Sequence, residues 1–228
     1  MNIDKIFIIN LEHRVDRKKK ILSELQRVGL TNYEIFKAIK PTEEMVNEWN
    51  PNFLNPIPEW FKRTGGDENK YKIGSLGCML SHLEIIKICI ERKYENVLIL
   101  EDDTEFQIGN GIRFEQVINI MKNQLENLNF GLFYLAGNHR AIGASLQKKS
   151  ENVNRVKGTL TTGSYIINKS VMKYILKNII GYEREIDVFY STVIQNQFPC
   201  YCVEPHITKQ GEGYSDIVQK NVSYKLNI

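Results

Sequence analysis

Short apolar runs alternate with helical spacings along most of this chain. KIFIIN (5–10) is a strand of β-branched and aromatic residues, and after the polar loop LEHRVDR the apolar positions Ile21, Leu22, Leu25 and Val28 recur at helical spacing from Arg17 until Gly29. Residues 31–36 read as a second strand. Met79, Leu80, Leu83, Ile86 and Ile90 then predict an amphipathic helix that delivers the chain to NVLILEDDTEF (96–106). Val97, Leu98, Ile99 and Leu100 show no period-2 alternation, so this strand is expected to be covered on both faces, as in a parallel or mixed sheet. A helix over about 113–128, a strand over 130–136, a strand at 161–168, helices at 169–179 and 187–197 and a strand at 200–205 complete the pattern. Strands alternating with helices predict an α/β protein with a mixed, largely parallel sheet.

Residues 40–72 break the rhythm. They hold four of the six prolines, both tryptophans and Gly65-Gly66, and predict a long, partly helical excursion over the surface, of the kind that is usually functional or mobile. Elsewhere Pro and Gly are too dispersed to mark a linker, so 228 residues with 42% hydrophobic content predict a single domain over 1–228. A net charge of +3 disfavours a nucleic-acid partner, because the one basic run, Arg17 to Lys20, lies on a helix with a solvated face. The amino terminus lacks the features of a signal peptide, and no stretch reads as the ~18 apolar residues of a transmembrane segment. Cys78, Cys89, Cys200 and Cys202 lack Cys-x-x-Cys spacing and read as buried free thiols, which fits a reducing, cytoplasmic compartment.

Candidate chemistry starts where the buried strand ends. Glu101, Asp102 and Asp103 fall at its carboxyl end, where open α/β sheets place ligands. Adjacent carboxylates there repel, and a hard cation such as Mg²⁺ or Mn²⁺ would compensate them, although a solvated acidic turn accounts for the triplet as well. Arg14 and Arg17 follow the first strand, where guanidinium forks could hold a diphosphate, or lie on the surface. In GSLGCMLSH two glycines precede the predicted helix, with Ser81 and His82 in its first turns. That arrangement suits an anion or a mere cap.

Taken in order, IFIINLEHRVDR, GSLGCMLSHLEIIK, VLILEDD, TTGSYIINKSVMKYIL with EIDVF, and VEPHITKQGEGYSDI resemble glycosyltransferase family 25, the lipooligosaccharide-biosynthesis and collagen-galactosyltransferase-like proteins. The resemblance implies a single-domain GT-A type, Rossmann-like nucleotide-sugar-binding fold. It also implies inverting transfer of a hexose, galactose or glucose, from a UDP-sugar to a hydroxyl of a glycan or a hydroxylysine-containing acceptor, with Mn²⁺ or Mg²⁺ as cofactor and the excursion at 40–72 as a lid or acceptor-side element on which Trp49 or Trp60 stacks against a sugar. Carried residue by residue, Glu101 and Asp103 become the outer positions of a D-x-D-like metal motif, with Glu in place of the first Asp, and Asp102 lies near the ribose or metal. Asn10, Leu11, Arg14 and Arg17 frame the nucleotide, Ser81 and His82 face the donor, Gln210 and Ser215 close over the diphosphate, and His206 or Asp216 completes the metal site. Asp187 in EIDVF is the favoured general base, with helix capping as its structural alternative and Glu183 and Glu185 as weaker acids. Two other readings remain: a binding module without catalysis, and a metal-dependent nucleotidyltransferase, against which the glycine-free loop NLEHRVDR counts.

Overall fold

The computed structural model describes residues 2–125, 128–139 and 143–223. In chain order, β1 (Lys5–Asn10), α1 (Val15–Val28) and β2 (Tyr33–Lys37) lead into α2 (Glu43–Trp49), α3 (Glu59–Lys62) and the long α4 (Glu68–Glu91). There follow β3 (Asn96–Glu101), β4 (Thr104–Phe106), α5 (Phe114–Gln124), β5 (Leu132–Tyr134), β6 (Ser145–Lys148), β7 (Val153–Lys157), β8 (Ser164–Asn168) and α6 (Lys169–Asn178). α7 (Ile186–Phe189) runs through a π-helical segment, Tyr190–Ile194, into α8 (Gln195–Gln197). β9 (Cys200–Val203), β10 (Thr208–Gln210), β11 (Gly213–Ser215) and β12 (Lys220–Val222) close the chain.

Eight strands form one sheet in the order β2-β1-β3-β8-β5-β9-β7-β6. β2, β1 and β3 are mutually parallel, as are β5 and β9, while β8 opposes both of its neighbours and β7 both of its own. Tracing these relations, only β7 and β8 run against the common direction, so the sheet is mixed and largely parallel, as expected. β3 lies inside it, and its side chains divide by parity. Val97 and Ile99 enter a core with Met79, Leu83, Ile86, Met172 and Phe189 from α4, α6 and α7, whereas Leu98 and Leu100 join Ile21, Leu25, Phe114 and Ile118 from α1 and α5. Both faces are buried because each carries helices, which is why the run shows no polar alternation.

Gly29 ends α1 in the left-handed region, with φ 76°, and its N–H and that of Leu30 bond back to Gln26 and Leu25. Helix α1 starts at Val15, slightly before the expected Arg17. The expected helix at 113–128 is α5, which ends at Gln124; residues 126 and 127 lie outside the described residues.

Three expectations change. α4 starts at Glu68, capped by the Asp67 carboxylate on the Asn69 and Lys70 amides, so the glycines of GSLGCMLSH lie inside a helix and not before one. The excursion therefore ends earlier than residue 72, and it is anchored: Phe53, Leu54 and Phe61 are fully buried, and Trp49 Nε1 donates to the Tyr182 carbonyl at 3.0 Å. Trp60, in contrast, is exposed. α4 is also long and apolar enough to cross a membrane by length and composition, but more than half of its most apolar stretch is buried inside this fold, where it serves as a core helix.

Candidate active site

The carboxyl end of β3 gathers the acids. Glu101 is its last residue, Asp102 and Asp103 form the turn into β4, and β4 pairs antiparallel with β10, which returns the tail to the same place. The Gly211 N–H bonds the Asp103 carbonyl at 2.7 Å, and a Cβ on Gly211 would stand 2.8 Å from Glu105 Oε1, so this close return suits glycine.

Each acid has a different environment. Asp102 is buried and accepts from Asn10 Nδ2 at 2.7 Å and Arg17 Nη1 at 2.9 Å. Desolvation still raises its pKa, against the opposing pull of Arg17 and Asn10. Glu101 accepts from Thr162 Oγ1 at 2.9 Å and lies 3.7 Å from His82 Nε2. Burial raises its pKa, but His82, Thr162 and Arg17 together outweigh that and leave it lowered. Asp103 receives least: Arg17 Nη1 lies 3.5 Å from Oδ2, and Oδ1 is buried with no hydrogen-bond partner. Burial, followed by the charge of Glu101, pushes its carboxyl well above the usual range.

The arginines stand where the sequence placed them, at the start of α1. Arg14 pairs with Asp216 at 2.6 Å and with Asp16 at 2.9 Å, while Arg17 Nη2 donates to the Tyr214 carbonyl at 2.7 Å. Arg14 donates to that carbonyl as well, at 3.2 Å. The hairpin of β11 and β12 thus lies over the arginines, with Ser215 Oγ accepting from Val218 N and Gln210 packed against Gly163. Leu11 follows β1 directly, half-buried.

Ser81 and His82 do not sit at a helix start. Ser81 accepts from the Ile39 amide at 2.8 Å and donates to the Gly77 carbonyl at 2.7 Å, which occupies its hydroxyl in tying α4 to the exit of β2. Gly77 serves the same contact, since a Cβ there would meet the Ile39 carbonyl at 2.6 Å. His82 is fully buried. Its Nδ1 meets the Tyr165 hydroxyl at 2.9 Å and its Nε2 faces Glu101, so it acts on the acid cluster from beneath. Tyr165, Tyr190 and Thr162 are contributors that sequence reading missed, because tyrosines and threonines in apolar strands and helices look like core residues.

Asp187 lies in the first turn of α7, and Glu185 occupies the N-cap position, so the capping role does not fall to Asp187. Its Oδ2 accepts from the Thr161 amide at 3.2 Å. Burial, then the charge of Glu185, pushes its pKa up to about 6. Glu185 accepts from the Tyr71 hydroxyl at 2.6 Å, and Glu183 is exposed.

His206 is not brought to Asp103. It lies beyond the opposite end of β10 from Gly211, five residues or roughly 15 Å of extended chain away. There it meets His139, with the two Nε2 atoms 3.3 Å apart, near Cys202. Burial drives the His139 pKa down to about 4 and lowers that of His206. Asp216 is held by Arg14 and by His13, at 3.5 Å. Among the described residues, the trios with ligand atoms within 4.8 Å of one another are Cys78, His82 and Glu101, and His139, Cys202 and His206. Asp103 belongs to neither trio.

A Rossmann-like mixed sheet with an acid cluster and two arginines at the carboxyl ends of its first and third strands defines an α/β protein of the GT-A and nucleotidyltransferase type. A solved structure of apo UDP-glucose pyrophosphorylase shares this fold at a TM-score of 0.51 and 10% identity, covering 89% of this chain and 90% of that one. Residues 3–190 match the model of glycosyltransferase family 25 (LPS biosynthesis protein), and the chain belongs to that family. It is 29% identical over 140 residues to procollagen galactosyltransferase 1-B of Xenopus laevis, which covers 59% of this chain and 21% of that protein. Against procollagen galactosyltransferase 2 of Homo sapiens it is 26% identical over 205 residues, covering 87% of this chain and 31% of that protein. The chain thus spans between a fifth and a third of these relatives' length.

Proposed function

We propose that this chain is a glycosyltransferase that moves a hexose, galactose or glucose, from UDP to a hydroxyl of a glycan or hydroxylysine-type acceptor with inversion, and that a divalent cation assists. The observation that carries this reading is the buried, unpartnered Oδ1 of Asp103 within an acid trio in which Arg17, 3.5 Å away, is the one cation beside Asp103 among the described residues. A buried carboxylate short of partners costs free energy that a hard cation would recover, and carboxylate oxygens are the ligands such a cation takes. Asp103 would hold it with Glu101 as neighbour, and the bound cation would neutralise charge on the departing diphosphate. Arg14 and Arg17, whose forks now rest on the Tyr214 carbonyl and Asp216, would exchange those contacts for phosphate oxygens, while Asn10 and Leu11 frame the nucleotide.

In the transfer the acceptor oxygen bonds the anomeric carbon from the face opposite UDP, the bond from that carbon to the phosphate oxygen breaks, and the acceptor proton passes to the Asp187 carboxylate. Asp187 suits this role because burial has already raised its proton affinity towards neutral pH. The excursion approaches Asp187, since Trp60 and Phe61 pack against Tyr71 of α4, which donates to Glu185 two residues away from it. This supports placing the acceptor beside Trp60. Four free cysteines accord with work in a reducing, cytoplasmic compartment. The test is calorimetry of UDP with Mn²⁺ or with chelator, in the native protein and in Asp103→Ala. Binding is expected only with the cation and is lost in the variant; equal affinity with and without chelator would remove the cation from this reading. Metal-dependent hydrolysis of UDP-galactose and UDP-glucose then ranks the donors.

A further inference from the structure

The second cluster, at the carboxyl edge of β5 and β9, has donor chemistry unlike that of the acid trio. His139 follows β5, and Cys202 and His206 lie on β9 and just past it, with one ligand atom from each within 4.8 Å of the others. Two further groups converge. Glu204 Oε2, buried and without a hydrogen-bond partner, lies 3.7 Å from His206 Nε2, and the Gly137 N–H points at that same nitrogen from 3.4 Å. Because the Gly137 amide donates to His206 Nε2, that nitrogen is unprotonated, and its single lone pair, now spent on this long contact, would turn to an ion. His139 Nδ1 meets the Thr159 hydroxyl at 2.8 Å, and with its proton directed there its own Nε2 presents a second lone pair across the 3.3 Å gap. Two imidazole nitrogens, a carboxylate oxygen and a thiol sulfur therefore lie around a common point.

We propose that His139, Cys202 and His206, with Glu204 beside them, bind a borderline-soft divalent cation, Zn²⁺, separate from any ion at Asp103. Tetrahedral zinc with bonds of about 2.0–2.3 Å sets ligand atoms roughly 3.3–3.8 Å apart, so the donors need to close by about 1 Å. Histidine nitrogen and cysteine sulfur select zinc over Mg²⁺ or Mn²⁺, which prefer oxygen. On binding, the Cys202 thiol, now directed at the Val203 carbonyl, loses its proton to solvent and the thiolate bonds the ion. Orientation is already supplied. Thr159, which fixes the His139 ring, is fully buried and clamped through both backbone groups by the Gln195 amide, the supporting contact that ligating histidines usually have. His139 is half-buried, which leaves an approach for the ion on its side, whereas the His206 side chain is only 9% exposed. The consequence is structural: the ion would pin the connection after β5 to the turn between β9 and β10, and β10 carries the tail back over the acid cluster.

The test uses Co²⁺ as a spectroscopic probe on the chelator-stripped 228-residue chain. One equivalent is expected to give the visible absorption of a tetrahedral site and a thiolate-to-cobalt charge-transfer band, both abolished by one equivalent of Zn²⁺ and untouched by excess Mg²⁺. Cys202→Ser should lose the charge-transfer band and His206→Gln should weaken Co²⁺ binding at least tenfold, while Asp103→Asn and Cys78→Ser retain both signals. Absence of the band in the native protein would overturn the proposal, and that reading depends on no variant folding. A band that persists in Cys202→Ser and vanishes in Cys78→Ser would overturn it too, by placing the ion at His82 and Glu101. Failure of UDP binding would leave the result unaffected, since the donor site plays no part in it.

Discussion

Asp187→Asn should make the protein more stable and less active at once. Burial and Glu185 push the carboxyl's pKa from 3.8 up to about 6, which corresponds to about 3 kcal/mol between its two protonation states. The side chain is only partly covered, so solvent screening brings the expected figure to about 1–3 kcal/mol. A raised acid pKa means that the folded state holds the proton more tightly than the unfolded chain. Below pH 3.8 both states are protonated and the residue costs nothing; between 3.8 and 6 the cost grows; above 6 it is present in full. Asparagine keeps an oxygen for the Thr161 amide and removes the charge. Urea denaturation should therefore show Asp187→Asn more stable than the native protein by about 1–3 kcal/mol at pH 8 and equal to it at pH 3.5. Turnover, followed as UDP release, should fall by the ~10²–10⁴ that general-base transfer contributes, with UDP-sugar affinity unchanged. In the native enzyme kcat should decline as pH falls through about 6. Full turnover in the variant would end the assignment and move attention to Glu185, and an identical stability gain at both pH values would refute the electrostatic account.

Arg17→Ala removes the cation between Asp102 and Asp103, so UDP affinity should fall by about 1–3 kcal/mol in calorimetry and the ligand-free protein should melt earlier; unchanged affinity would return Arg17 to a purely structural role. Gly77→Ala should cost roughly 1–3 kcal/mol in chemical denaturation, because its Cβ would stand 2.6 Å from the Ile39 carbonyl. Gly74→Ala meets the Ile217 side chain at 3.2 Å and should cost less, and equal costs would contradict the packing explanation of the glycine pair. Trp60→Ala should cost about 0.5–1.5 kcal/mol of stability, since the half-exposed indole makes edge contacts with Phe61 and Tyr71, and raise the KM for acceptor; an unchanged KM would separate the excursion from acceptor binding.

Local chemistry was legible in the chain. The double-faced burial of β3 follows from an apolar run too short for a membrane span and too uniform for an edge strand, and Gly29 stops α1 because its left-handed conformation is costly for other residues. The acids at the end of β3 and the arginines at the start of α1 were visible for a related reason: charges immediately after apolar strands have few places to go except the sheet's carboxyl edge. Strands β6 and β7 were not visible, since β6 is wholly exposed, its one apolar residue Leu146 included, and is a strand only because β7 pairs with it. Nor was the true start of α4, because Asp67 caps it ahead of a polar first turn and Gly77 is kept by a carbonyl from a distant loop. What separates Asp102 from Asp103 lies wholly in three dimensions. Two adjacent, chemically identical side chains differ because Asn10 and Arg17 reach one and leave an oxygen of the other bare. His206 shows the same division: the sequence marks it as a possible ligand, but only the pairing of β4 with β10 and of β5 with β9 decides that its companions are His139 and Cys202 rather than Asp103. Residue type and spacing determine which groups can do chemistry, and long-range strand pairing, with separations far beyond any local pattern, determines which of them meet.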